Sequence, residues 1–332
     1  MNPLSEVLEQ AGLGGPWSHV GLFLAASLVM MWRLEALLAH GLEGTALGTL
    51  VMPYCSGLGN LLFVFLVSSK PGQGGEVFTN CLVNNATNLT LVLGIPAVIW
   101  GLPIGGGRRP GRGTGRGDAT PELSRLSLLL TLLAVLFFSG VAWALASDGR
   151  LDAHDGLVLV ALFLFWQCFQ VFDVLKHNVR TRQRFGPAFY LDAFIVLLGA
   201  GGLYASLDWL VAWLPTQEGA FLNARHLGWL SGWLMVIPNA LLALFYAARG
   251  RPDVAYSSQV GDGHICIPLC LGLSAMLQPV AVPAFFTGGL IFVAAAALAH
   301  LGCVAWNGGI GRGLGWTLIA VYAGFLALGL TG

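Results

Sequence analysis

The chain has 332 residues, 56% of them hydrophobic and only 10% charged, with 16 basic and 16 acidic side chains that cancel. A soluble domain carries about 25% charged residues, so a mean hydropathy of +0.75 places the chain in a bilayer. Zero net charge, with the basic residues confined to short loops, excludes a nucleic-acid binder. Apolar runs near the roughly 20 residues that cross a bilayer as a helix recur along the chain, without the short alternating segments of a membrane barrel. The expected fold class is an all-α polytopic membrane protein.

Read in chain order, the first 16 residues lack the basic start and apolar centre of a cleaved signal, so the first spanning segment is expected to be retained. Runs and breaks then predict about ten spans, at 17–38, 46–68, 77–101, 123–146, 153–175, 187–210, 226–248, 262–282, 284–304 and 311–330. Pro96 in the third and Pro268 in the eighth break a helix cheaply only where protein or a polar cavity re-satisfies the freed backbone groups. The Gly/Arg-rich loop 102–122 carries Arg108, Arg109, Arg112 and Arg116; the linker 176–186 carries Lys176, Arg180, Arg182 and Arg184; Arg249 and Arg251 follow span seven. All three connections fall on one side, which the positive-inside rule makes cytoplasmic. Both termini are then periplasmic or extracellular, in what we expect to be a bacterial inner membrane. Trp32, Trp100, Trp166, Trp209 and Trp213 read as an aromatic belt. Asp173 and Asp192 read as interfacial, or as paired with nearby arginines.

The stretch Asn80–Gly94, NCLVNNATNLTLVLG, crowds Asn80, Asn84, Asn85 and Asn88 into an apolar segment. Sliding the chain against itself by 178 residues lays Gly59–Ala97 over Ile237–Ala275 without a gap. Gly72 then meets Gly250, Gly94 meets Gly272, Asn84 meets Asp262 and Asn88 meets Cys266. Each copy is a helix, a short Gly/Pro turn and a second helix with a polar start. The copies are five spans apart, an odd number, so they cross the membrane in opposite senses, as in many secondary transporters. The division is 1–175 for the first half, with its repeat segment at 50–97, the basic linker 176–186, and 187–332 for the second, with its repeat segment at 228–275.

These two segments resemble the alpha repeats of the calcium/cation antiporter superfamily, the sodium/calcium exchanger fold. The resemblance implies two inverted five-helix repeats and an ion site at their junction. It also implies an essential glutamate after the proline of each repeat. Here the matching positions are Leu61 and Asn239, and the upstream hydroxyl positions fall on Gly57, Leu58, Met235 and Val236. What remains at the matching site is Asn84, Asn88, Asn239, Asp262 and Cys266, with Asn80, Asn85 and Gln259 as further polar positions.

A calcium site presents six to eight oxygens, several from carboxylates, which one aspartate and amides match poorly. A monovalent cation needs less, because amide and backbone carbonyls can replace part of its hydration shell, and Asp262 could carry a proton. The expected function is a secondary active cation transporter moving Na+, H+ or Ca2+, with membrane lipid and a small inorganic cation as partners and no resident cofactor. The alternative is a non-transporting scaffold or accessory subunit on the same fold. Two blander readings stay open: the asparagines glue helices together by interhelical hydrogen bonds, or Asp262 caps the start of span eight. His264, Cys266 and Cys270 could hold a soft metal, although buried thiols also serve as small hydrophobes. The sequons at Asn85 and Asn88 lie inside a span and are discounted. No nucleotide loop or hydrolytic triad is present, so no enzyme is expected.

Overall fold

The computed structural model describes residues 3–12, 14–39, 52–70, 72–104, 121–178, 186–219 and 221–331. Most of the Gly/Arg-rich loop and of the basic linker, and the start of the second expected span, lie outside the described residues. The helices are α1 (Pro3–Gln10), α2 (Pro16–Ala39), α3 (Met52–Ser68), α4 (Gly74–Trp100), α5 (Pro121–Leu145) and α6 (Ala153–Asn178). After the linker come α7 (Pro187–Trp213), α8 (Leu227–Ala248), α9 (Pro252–Leu277), α10 (Phe285–Asn307) and α11 (Arg312–Thr331). Four two-residue strands, β1 (Leu102–Pro103), β2 (Arg150–Leu151), β3 (Val280–Ala281) and β4 (Gly309–Ile310), and three short 3-10 helices complete the described elements.

The fold is all-α and polytopic. Among the described residues, seven helical stretches are long and apolar enough to cross a bilayer, in α4 through α10, and Gly57–Ser68 and Arg312–Ala327 are shorter apolar helices. Helices satisfy their own backbone groups, which lipid cannot do. The expected boundaries hold to within a few residues except at the eighth span. That helix begins at Pro252, ten residues before the expected 262. PDVAYSSQVGDGH is too polar to register as a span, but it is enclosed by other helices rather than by lipid. Pro252 starts it, where a missing N–H costs nothing.

Contacts between the helices come in corresponding pairs. The C-terminal part of α4 packs on α11 as that of α9 packs on α6, and α4 meets α10 as α9 meets α5. β1 pairs with β4, and β2 with β3, both antiparallel. The turns before α4 and α9 place Gly72 and Gly250 at φ +79° and +72°, a left-handed conformation that favours glycine. A Cβ at Gly94 would stand 3.1 Å from Gly315 O, and one at Gly272 would stand 2.9 Å from Gly156 O. Both crossings therefore bring helix backbones together through a glycine pair, the device by which membrane helices approach closely.

Two readings of single residues change. Asp192 is buried, not interfacial, and its Oδ1 lies 3.0 Å from Arg33 Nη1 of α2, across the α2–α7 contact. Trp166 is not part of a belt, because its indole N–H points inward to His264 at 3.1 Å. Outside the membrane, Asp152 opens α6 by accepting the amide N–H groups of Asp155 and His154, which hold its carboxyl below the usual range.

Gly272→Leu should lower the stability of the detergent-solubilised protein by about 1–3 kcal/mol, the usual cost of overpacking. Gly201→Leu, at a position with nothing within 4 Å of its Cβ, should be close to neutral. Equal melting temperatures for the two variants would remove the close crossing as a stabilising feature.

Candidate functional site

The polar residues singled out in the sequence converge where α4 and α9 change helical type. Both contain a π-helical turn, Asn88–Val92 in α4 and Ile265–Cys270 in α9. Shifted by 178 residues the two turns coincide to within one position, yet their causes differ. In α9, Pro268 removes a backbone donor and the ladder widens around it. In α4, hydroxyls compete for the ladder carbonyls: Thr87 Oγ1 donates to Val83 O at 2.6 Å and Thr90 Oγ1 donates to Ala86 O. Wide turns of this kind recur at functional sites.

Asp262 is the centre of the cluster. Its Oδ2 accepts Asn88 Nδ2 of α4 at 2.9 Å and Asn239 Nδ2 of α8 at 3.0 Å. Asn88 Nδ2 also donates to Asn84 Oδ1 at 3.0 Å, and Asn84 Nδ2 reaches Asn60 Oδ1 of α3 at 3.5 Å. Asp262, Asn84, Asn88 and Asn60 are wholly buried and Asn239 nearly so. Asp262 therefore does not cap a helix mouth, because α9 runs for ten residues ahead of it. Gln259, one turn earlier, donates to Asn239 O at 3.2 Å. Asn80, two turns before Asn88 on α4, donates to Ser231 Oγ at 3.0 Å.

The amide oxygens of Asn80, Asn85, Asn88 and Gln259 are buried and receive no hydrogen bond from the protein. Buried carbonyl dipoles without a donor are costly. Interhelical glue would use both ends of each amide. In these four the N–H₂ ends are engaged and the oxygens are left over, whereas in Asn60 the oxygen is engaged and Nδ2 has no partner. Asn85 stands apart from the others: its Nδ2 returns to Cys81 O, and its oxygen is near Gly263, where a Cβ would lie 3.1 Å away.

Asn60 is a site residue that the gapless repeat match does not single out. That match makes Leu61 the first-copy counterpart of the repeat glutamate, but Leu61 is half-buried and packs on the apolar core. The inward side chain is Asn60, one residue earlier. Asn60 meets Asn84 as Asn239 meets Asp262, a one-residue difference in register from the gapless 178-residue match. The soft-metal grouping of His264, Cys266 and Cys270 is not formed. His264 turns away, with Nε2 on Thr131 O at 3.0 Å and Nδ1 on Trp166. Among the described residues no three His, Cys, Asp or Glu side chains are gathered for a metal.

Cys266 Sγ is 3.7 Å from Asn84 Oδ1, a weak thiol contact. Cys266→Ala should change thermal stability by less than about 1 kcal/mol, whereas Asn88→Leu, which strips Asp262 and Asn84 of a donor, should cost about 1–3 kcal/mol. Thermal unfolding in detergent checks this, and equal losses for the two variants would contradict the assigned hydrogen bonds.

Comparison with known proteins bears on what such a cluster belongs to. A search of curated proteins finds no match. The family model described as sodium/calcium exchanger protein matches residues 17–172. Among solved structures, the sodium-calcium exchanger NCX_Mj soaked with 2.5 mM Na+ and 10 mM Sr2+ superposes with a TM-score of 0.66 at 17% identity, covering 94% of this chain and 99% of that one. The same exchanger soaked with 2.5 mM Na+ and 0.1 mM Ca2+ gives 0.66 at 17%, covering 93% and 95%. Soaked with zero Na+ and Ca2+ it gives 0.62 at 17%, covering 93% and 99%. The family match thus covers residues 17–172, and the fold is that of the sodium-calcium exchanger NCX_Mj along nearly the whole chain.

Proposed function

We propose that this protein is a secondary active antiporter that moves a monovalent cation, sodium or a proton, against another ion through the Asn/Asp cluster. The observation that carries the reading is one buried carboxylate, Asp262, held by Asn88, with buried amide oxygens that lack donors on Asn88 and on Gln259 one turn away. Asn84, Asn239 and Cys266 line the same place. One carboxylate balances one positive charge, and amide oxygens complete a monovalent coordination shell. A divalent ion would keep an uncompensated charge in a low dielectric, where that is expensive. A proton and a cation compete for the same carboxylate, and this competition gives coupling: each ligand leaves before the other binds.

The proposal includes ten spans, α2 through α11, in two inverted halves of five, with the Arg-rich connections in the cytoplasm and both termini outside. Corresponding helix contacts and the matched π-turns support it. The chain would act alone with lipid around it, and tracer flux into proteoliposomes under sodium, proton and calcium gradients tests this. Folded protein with no gradient-coupled flux would favour a scaffold or accessory subunit instead.

Single cysteines at Gln73 and Arg251, at corresponding turns before α4 and α9, should react with impermeant reagents from opposite sides of the membrane. Reaction from the same side would eliminate the inversion.

Asp262→Asn keeps the shape of the side chain and removes its charge. Flux should be abolished or become independent of pH, with folding close to normal. Unchanged flux with an unchanged pH profile would show that the coupling charge is carried elsewhere.

A further inference from the structure

Beyond the cluster, one chain of buried hydrogen bonds ends on the backbone that carries it. Tyr256 of α9 and His300 of α10 are fully enclosed. His300 Nδ1 is 2.5 Å from the Tyr256 hydroxyl, and Nε2 is 2.5 Å from the carbonyl oxygen of Leu89 in the π-turn of α4. A carbonyl only accepts, so Nε2 bears the hydrogen; the neutral ring then offers Nδ1 as acceptor, and Tyr256 O–H donates to it. Every direction in the chain is thereby fixed. The two rings meet edge to face at 5.3 Å, which leaves the imidazole no freedom to turn.

A satisfied core histidine is ordinary, and its usual role is packing. The acceptor distinguishes this one. Leu89 is the residue after Asn88, in a turn where Thr87 and Thr90 already draw hydrogen bonds out of the regular ladder. Asn84 and Asn88 stand one α-turn apart because the widening begins no earlier than Asn88, and the His300 donor sits on the next carbonyl. The corresponding helix pair, α9 with α5, is also joined by a histidine on a backbone carbonyl, His264 on Thr131 O. Both α4 and α9 are thus tied beside their π-turns by an imidazole.

We propose that His300, oriented by Tyr256, is a positioning residue for the cation cluster: it sets the start of the α4 π-turn so that Asn88 meets both Asn84 and Asp262. The proposal rests on the cation-site reading above, so its test carries one readout that needs no transport. His300→Leu should raise the apparent cation KM by about ten- to a hundredfold, the scale for losing a group that orients an ion ligand, with a smaller change in maximal flux. His300→Gln, whose amide can donate to Leu89 O and accept from Tyr256, should restore the KM.

Hydrogen exchange supplies the independent arm. Amides of residues 88–93 should exchange faster in His300→Leu than in His300→Gln, while those of 265–270 stay unchanged. Lower thermal stability in His300→Leu, with KM and exchange at 88–93 both unaltered, would overturn the proposal and leave His300 a packing residue. If the unsubstituted protein shows no cation flux, the cation reading fails and the exchange result alone decides whether His300 holds the turn. If His300→Leu does not fold, Tyr256→Phe removes only the hydroxyl and should give the same changes in smaller measure; no change in either would overturn the proposal.

Discussion

The structure depends on keeping irregular backbone away from lipid. A π-turn loosens the hydrogen-bond ladder, and in hydrocarbon each unsatisfied backbone group is costly. The two helices with such turns are the two most enclosed: 78% of the apolar window of α4 and 83% of that of α9 are buried, against 22–50% for the other five long spans. The remaining helices form the wall that makes those turns affordable. Burial also explains how PDVAYSSQVGDGH can be a helix in a membrane protein at all, since Ser258, Gln259, Asp262 and His264 are enclosed by protein.

Within that enclosure, charge is the scarce quantity. Among the described residues Asp262 is the carboxylate of the cluster, and its partners are amides that bring dipoles and no charge. Resemblance to the exchanger family would put a glutamate in each half; here the inward positions are Asn60 and Asn239. Replacing carboxylates with amides removes both their mutual repulsion and the desolvation cost of several buried charges. It also lowers the charge that the site can compensate. Asn88 and Asn239 hold Asp262 by their nitrogens, and the oxygen of Asn88 is left over, a division of labour that a carboxylate, which only accepts, cannot perform.

Much of this was legible in the sequence, at particular residues. Gly72 with Gly250 and Gly94 with Gly272 appeared as matched positions, and the structure gives each match a cause: a left-handed turn in the first case, a backbone crossing in the second. The clustering of Asn84, Asn88 and Asp262 was legible because amides and acids are conspicuous in apolar runs. The start of α9 was not, since hydropathy averages over a window and says nothing of what encloses it. Asn60 was not legible because it sits one residue out of register with the gapless match, which pairs Asn239 with Leu61. Trp166 and His300 were hidden for another reason: an indole or imidazole in an apolar span looks the same whether it faces lipid or a carbonyl on another helix.

Corresponding elements are held by unlike chemistry. The α4 turn is anchored to α11 through Thr87 and Tyr322 at 2.9 Å, with Trp233 donating to the same hydroxyl at 2.8 Å. The α9 turn is anchored to α6 through His264 and Trp166. One π-turn comes from a proline and the other from two threonines. What is common to both halves is backbone geometry, and glycine alone is required at its tightest points. Side chains around the turns can change as long as the turn, the crossing and the enclosure survive. Likeness to a sodium-calcium exchanger at 17% identity is therefore informative about architecture, which the backbone dictates. In the transport reading proposed above, the choice of ion rests on the few oxygens near the turns, and in this chain those oxygens belong mainly to amides.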